Sequence, residues 1–423
     1  MANKPIIKNL VLSGVTTFCG FISGTVVIMV LGRMLPVNIF GEIVFAYTFA
    51  TLAQLIPSYG FPLLVIVEVA QKHLEPAKAI VNVLAVQIFL SILTVAGLAL
   101  LIRIANISIN SSLILIFMVS GILNSFSTVI SSVNKGQNDF SVEVKVAISQ
   151  MISLCILIFM AMMVLPKSSM LIGWVMLTSN LVGLIIALIL IKPLFMGDSS
   201  LLPDAGTMGK LLKIGFPFAI QLIFGTLYFQ IDTLIIGKLT GMEAVGFYQA
   251  ATRIVFAVFP LALIINNVFY PRLAAVYNPD TQNYQTSDGY KMMFLLLLIS
   301  IILTIFLIVF AQPVVYLIYG PKMVPSIPVL QVFSLILLFR FVAGGLGILL
   351  ITCQKQIFLV IAAIIATVTN LILNFIWVPS YGIISSAWAN VITHLIILSI
   401  YLFAFSFRSK IRLPQNITIW KCS

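Results

Sequence analysis

A chain of 423 residues that is 61% hydrophobic, 8% charged and of mean hydropathy +1.19 is not a soluble domain, because soluble domains carry about 25% charged residues. Its net charge of +12 does not mark a nucleic-acid partner, since the Lys and Arg residues form no continuous patch and sit near the ends of apolar runs. The cysteines at 19, 155, 353 and 422 are scattered and outline neither a disulfide framework nor a metal cluster.

Apolar runs of about 18 residues or more, each long enough to cross a bilayer, recur along the whole chain. The expected class is an all-α polytopic membrane protein with twelve transmembrane helices, at 9–31, 39–62, 78–103, 112–134, 143–165, 169–192, 212–236, 244–270, 290–312, 326–352, 356–378 and 383–406. The first apolar run, Leu10–Leu31, is too long for a signal-peptide core and lacks a small-residue cleavage site, so it reads as a retained span. With the N-terminus inside, the inner segments hold 16 Lys and Arg residues, while the outer loops hold only 5: Arg33, Arg103, Lys167, Lys238 and Lys322. That bias is expected to place both termini in the cytoplasm, and the positive charge near helix ends favours anionic lipid head groups.

The polar stretch Gly197–Lys210 divides the spans six and six. It reads as a cytoplasmic linker, 197–210, between an N-terminal bundle, 1–196, and a C-terminal bundle with a cytoplasmic tail, 211–423. The halves resemble each other. Leu31-Gly32-Arg33-Met34, Gly41 and Ala46 align with Ile236-Gly237-Lys238-Leu239, Gly246 and Ala251 at an offset of 205 residues, Leu165-Pro166 with Val378-Pro379 at 213, and Trp174 with Trp388 at 214. Six spans return the chain to its starting side, so these are parallel repeats about an axis along the membrane normal.

Polar residues inside the spans are the candidate site. Ionisable groups at such depth cost about 2.5–3.5 kcal/mol near the bilayer centre and persist where they pair or line a wet cavity. On the seventh span Gln221, Gly225, Tyr228 and Asp232 form one helical stripe, and on the eighth Gln249, Arg253, Pro260 and Asn267 form another, with Pro260 expected to kink the helix. Asp232 and Arg253 are expected to pair, either as a staple between two helices or as a bridge that opens when substrate or ion enters. Arg340 lies near the midplane of the tenth span with no acidic residue at its depth, and Gly344 and Gly347 follow on its face. Its guanidinium suits phosphate oxygens, which it can meet through paired hydrogen bonds; the alternative is pairing with helix carbonyls or snorkelling. Neutral stripes run along the fourth span (Ser120, Asn124, Ser127, Ser131, Asn134), the second (Tyr47, Thr51, Gln54, Ser58), the eleventh (Thr367, Asn370, Asn374) and the twelfth (Ser386, Asn390, His394). These either bind sugar hydroxyls across a wet cavity or glue helices together. His394 reads as a packed histidine, with a proton relay as the other reading. Ser13, Thr17, Gly20 and Gly24 on the first span read as a close-packing face. The sequons at Asn106, Asn110 and Asn416 read as chance matches. No phosphate-binding Gly-Lys-Ser/Thr loop is present.

The segments LGRMLPVNIFGEIVFAYTF, GFPF…QIDTLIIGKLTG…VGFYQAATRI…FYPRLA and WVPSYGIISSAWANVIT together resemble the Wzx-type polysaccharide flippases of the multidrug/oligosaccharidyl-lipid/polysaccharide exporter superfamily. Ser385 and Ser386 stand where that pattern tends to have Gly and Ala, and both remain small. The resemblance implies two pseudo-symmetric six-helix bundles in a V around a cationic cavity. The implied cargo is an oligosaccharide repeat unit, such as an O-antigen unit, on undecaprenyl (polyprenyl) diphosphate, carried from the cytoplasmic to the periplasmic leaflet. It also implies coupling to a proton or sodium gradient, with Asp232 and His394 as the ion-coupling candidates, no bound cofactor, and the polysaccharide polymerase machinery as a partner. The expected substrate-binding residues are Arg340, Arg253, Asp232, Gln221, Gln249, Asn374 and Asn390. Two other readings stand beside this one: a cation-coupled multidrug exporter of the same superfamily, and a membrane glycosyltransferase or polymerase, which would want a long outer loop or a paired acid and base.

Overall fold

The computed structural model describes residues 4–105, 111–164, 168–195, 202–276, 287–353, 355 and 357–406, and among them it is helical without strands. Hydrocarbon offers no partner to backbone N–H and C=O groups, so spans that keep their hydrogen bonds internal are the outcome such apolar runs dictate. The twelve expected spans are present. They are α1 (Val11–Met34), α2 (Val37–Ala70), α3 (Pro76–Leu100), α4 (Ser111–Gly136), α5 (Ser141–Met163), α6 (Ser169–Leu194), α7 (Ala205–Thr240), α8 (Met242–Tyr270), α9 (Asp288–Val309), α10 (Ser326–Thr352), α11 (Ile357–Tyr381) and α12 (Ile383–Ser406). Cys422, the three sequon asparagines and the tail lie outside the described residues.

The 197–210 linker needs amending. Asp204 caps a helix that begins at Ala205, accepting from the Thr207 amide at 2.8 Å and the Thr207 hydroxyl at 2.6 Å. These bonds hold the Asp204 carboxyl below the usual carboxylate range. The Asp204 amide in turn donates to Asn82 Oδ1 at 2.8 Å, tying the start of α7 to α3. The sequence's Gly, Pro and Asp punctuation thus marks a helix cap rather than the end of a linker.

Several spans are interrupted. In α1 the turn Ile22–Val26 widens to a π-helix. α2 breaks at Tyr59 and Gly60, both left-handed with φ of 43° and 71°. Gly60 also comes so close to Phe218 of α7 that a side chain there would clash. α8 breaks after Phe256 and resumes at Phe259, so Pro260 ends one helix and starts the next, as its ring requires. The small-residue face expected on α1 is not a packing face among the described residues, none of which lies within 4 Å of where a Cβ on Gly20 or Gly24 would sit.

The halves meet most closely through α2 and α8. A Cβ on Gly41 of α2 would strike the carbonyl of Met242, the first residue of α8, and a Cβ on Gly246 of α8 would strike the carbonyl of Val37, the first residue of α2. Gly41 and Gly246, like Val37 and Met242, are 205 residues apart, the offset that aligns the two halves. The contact is therefore reciprocal, and the pseudo-two-fold axis runs between these two helices. Around it a shared apolar core joins Leu31, Phe40 and Val44 to Ile236, Tyr248 and Ala251. At the same end Arg33 donates to the carbonyls of Leu317 and Ile318, and Lys322 donates to those of Arg33 and Leu35, so each half grips the other's backbone.

Candidate functional site

The C-terminal half gathers its polar residues into one connected cluster. α7 carries Asp232 on the stripe that faces α11 and α12, where Asn374 and Asn390 also point inward. The buried carboxylate accepts from Tyr248 at 2.8 Å, Asn390 at 2.6 Å and Asn374 at 3.1 Å. Asn374 also donates to Asn370 Oδ1 at 3.0 Å and accepts from the Ser386 hydroxyl. A buried charge needs several donors when water is excluded, and amides and a phenol supply them here.

His394 lies one turn along α12 from Asn390. Its Nδ1 faces the Asn390 carbonyl at 2.9 Å and the Tyr228 hydroxyl at 2.7 Å, while its Nε2 faces Arg340 Nη1 at 3.4 Å. A proton on Nδ1 satisfies the carbonyl and leaves Nε2 to accept from the guanidinium. A continuous path of hydrogen bonds thus runs from Asp232 through Asn390 and His394 to Arg340. His394 is packed, and it also links the two charges.

Arg340 is held by faces rather than by a counter-ion. Its guanidinium carbon lies 4.5 Å from the centroid of Phe229 and 4.3 Å from that of Phe259. Ring faces attract a cation by about 0.5–2 kcal/mol while leaving its N–H edge for another acceptor. No ion pair among the described residues involves Arg340, Arg253 or Asp232.

The expected Asp232–Arg253 pair does not form. Arg253 turns the other way, across the boundary between halves, and donates through Nη1 to the Gly24 carbonyl at 3.2 Å, within the π-turn of α1. A π-turn loosens the backbone ladder and leaves a carbonyl to accept from outside. The Arg253 Nε is buried without a partner among the described residues. The two side chains leave their helices in different directions.

Of the expected substrate-binding residues, Asp232, Asn374, Asn390 and Arg340 come together, with His394 between them. Gln249 lines the same small cavity as Asp232, and its amide donates to Thr233 at 2.5 Å. Arg253 stands apart, and the side chain of Gln221 lies outside the described residues. A cavity of about 10 Å³ opens between Asp232, Gln249, Thr252, Asn390 and His394, room for about one water. The Gln249 Oε1 has no partner among the described residues. Sequence reasoning missed Tyr248, Phe229 and Phe259; the aromatic residues carried no signal against a background of 31 Phe and 12 Tyr.

Comparison with known proteins adds the following. The model of the family described as "Polysaccharide biosynthesis protein" matches residues 6–277, and the MatE model matches residues 217–376. No curated protein matches by sequence. Among solved structures, the fold is similar to an inward-facing multidrug resistance MATE family transporter of the MOP superfamily, with a TM-score of 0.66 at 14% identity over 92% of this chain and 94% of that one. It is equally similar to the lipid II flippase MurJ in an inward closed conformation, with a TM-score of 0.66 at 16% identity over 94% of this chain and 87% of that one. An outward-facing MATE family transporter gives 0.59 at 13% identity over 94% and 92%.

Proposed function

The chain belongs to the polysaccharide biosynthesis protein family and is a multi-pass transporter of the MOP superfamily, and from that premise we propose that its cargo is an oligosaccharide repeat unit on undecaprenyl diphosphate. One observation carries the reading. At mid-span the Arg340 guanidinium is held by two phenylalanine faces and a histidine, without a carboxylate. Such a group meets a diphosphate with no competing ion pair to break, and planar N–H donors match phosphate oxygens two at a time. Holding it on rings rather than on an acid keeps the charge in place at low cost when the cavity is empty.

The transport step follows as alternating access. The lipid's diphosphate enters between the halves from the cytoplasmic leaflet and meets Arg340. The grip of Arg33 and Lys322 then opens toward the periplasm, with both termini remaining cytoplasmic in a bacterial inner membrane. The coupling ion, H⁺ or Na⁺, binds at Asp232. The adjoining cavity offers a carboxylate, the orphaned Gln249 carbonyl oxygen and the Thr252 hydroxyl, an oxygen set that suits a hard cation or a proton-bearing water. The product goes to the polysaccharide polymerase machinery, and the polymer is an O-antigen or a similar surface polysaccharide.

Arg340→Ala and Arg340→Lys test this in cells that depend on the protein for surface polysaccharide. Alanine is expected to reduce polysaccharide to the level of the deletion, with lipid-linked units stranded on the cytoplasmic leaflet; lysine keeps the charge without the fork and restores part. Full polysaccharide from both variants at normal protein level removes Arg340 from the site. The buried Asp232, with its neighbours Tyr248 and Asn374, lies within the residues that the MatE model matches and favours a second reading, a cation-coupled drug exporter. Drug resistance conferred by expression, with surface polysaccharide unaffected by deletion, decides for that one.

A further inference from the structure

The N-terminal half holds a second polar cluster, made only of neutral groups. Gln150 of α5 lies between Asn124 of α4 and Asn180 of α6, its Nε2 3.2 Å from Asn124 Oδ1 and 3.4 Å from Asn180 Oδ1. Asn180 donates to Ser120 at 2.8 Å. Ser153 and Ser179 close the base, 3.2 Å apart, with Ser179 donating to the Gln150 carbonyl at 2.8 Å.

This cluster is more than interhelical glue because one edge of it is open. Asn124 and Thr128 are exposed although they lie midway along a span. They do not face lipid. Val119 marks the outward face of α4 at 39% exposure, and Asn124, five residues on, lies about 140° around the helix from it. Gln150 and Asn180 likewise point away from the exposed faces of their own helices, marked by Phe159 and Met163 on α5 and by Ile185 and Ile189 on α6. Three helices therefore turn amides toward one interior cleft.

On that cleft, hydrogen-bonding groups stand ready. Asn124 Nδ2 has no partner among the described residues, since its only side-chain bond is accepted at Oδ1. Gly121, one turn before, leaves room for the Gln54 amide of α2 to lie over it. Phe117 against Tyr47, with ring centroids 6.0 Å apart, closes the cleft toward the Arg33 end. An unpartnered amide donor among neutral amides and hydroxyls, with no charge beside it, suits a ligand rich in hydroxyl groups, which can both accept and donate.

We infer that the Asn124–Gln150–Asn180 cleft, with Gln54 and Thr128 at its rim, binds the sugar part of the cargo while Arg340 in the other half holds the diphosphate. The inference rests on the flippase reading above and assigns a second contact to the same substrate. Discrimination between repeat units then resides in the N-terminal half, and affinity for the common lipid carrier in the C-terminal half.

The test is binding to the full-length protein in lipid nanodiscs with three probes. These are the lipid-linked repeat unit extracted from the producing cells, undecaprenyl diphosphate without sugar, and the oligosaccharide released by mild acid. Asn124→Leu, close in volume but without hydrogen bonds, is expected to weaken the glycan-bearing lipid about tenfold and leave the bare carrier unchanged. Arg340→Gln weakens both lipids and spares the free oligosaccharide. Should Asn124→Leu fail to fold, Thr128→Val, whose hydroxyl bonds only within its own helix, replaces it with a smaller loss of the same selectivity. If these variants leave all probes unchanged, or weaken the bare carrier equally, the sugar site is overturned. A wild type that binds the free oligosaccharide through Asn124 but ignores the bare carrier overturns the flippase reading and keeps the cleft. One that binds both lipids alike does the reverse.

Discussion

The two halves share an architecture and differ in what they place at its centre. Asn124 stands thirteen residues into the fourth span of the N-terminal half, Arg340 fourteen residues into the fourth span of the other. Asn180 and His394 are 214 residues apart, the offset that also aligns Trp174 with Trp388. In one half Gln150 bridges the two asparagines; in the other Arg340 and His394 touch directly, with Asp232 linked behind them through Asn390. The fourth-span place is thus an amide on one side and a charge on the other, and the sixth-span place an amide on one side and a neutral imidazole on the other. A duplicated scaffold keeps its glycines and prolines, which packing constrains, while residues that face a cavity are free to diverge toward different parts of one ligand.

Making the C-terminal half resemble the other should produce the largest effect. Arg340→Asn is expected to abolish surface polysaccharide while the protein is still made and inserted, as read by membrane immunoblot beside polysaccharide gels. Near-wild-type polysaccharide would mean that the charge difference between halves is incidental. Next in size is the fate of the two interior charges. Asp232→Asn and Arg253→Gln are each expected to lower transport tenfold or more, and the exchange Asp232→Arg with Arg253→Asp is not expected to recover it, because the two groups bond elsewhere. Recovery in the exchanged variant would restore the direct pair.

A smaller effect tests where the halves are alike. Gly41→Ala and Gly246→Ala each push a methyl group into a helix-start carbonyl of the opposite half. Each should destabilise the closed contact, by about 1–3 kcal/mol at Gly246 and by more at Gly41, where the methyl would come closer to the carbonyl than at Gly246, in thermal unfolding of detergent-solubilised protein. Absence of a loss at either glycine would break the reciprocal contact. The smallest effect belongs to the Asp204 cap. Its carboxyl titrates below the usual range, so its contribution is present above the unfolded value of about 3.9 and is lost as pH falls through the lower folded value. Asp204→Ala should lower Tm slightly at pH 7, and the difference should vanish once acid has protonated the carboxyl in the wild type.

Much of this was legible in the sequence, for identifiable reasons. Spans follow from hydropathy because lipid admits no other backbone solution, and the repeat follows from Gly and Pro positions that packing pins. Asp232, Asn374, Asn390, His394 and Arg340 could be named because polar groups in a greasy span stand out. Their partners could not. Depth from residue count placed Asp232 near Arg253, but depth carries no azimuth, and α1 offered Arg253 a carbonyl through a π-turn that no residue type announces. Gln150 and Asn180 went unmarked because each is the only amide on its helix; only the convergence of three helices makes them a group. The small residues of α1 misled in the opposite sense, since Gly20 and Gly24 signal a close neighbour wherever one exists, and here the space beside them is open.

The crossed glycines have a history built into them. Gly41 meets the start of α8 as Gly246 meets the start of α2, so a single six-span chain paired with its own copy would have needed one glycine to make both contacts. Fusing two such copies head to tail releases each from serving its twin, and one cradle can become basic while the other stays neutral. A ligand whose two ends differ is what a homodimer could never grasp along its symmetry axis and a fused pair can.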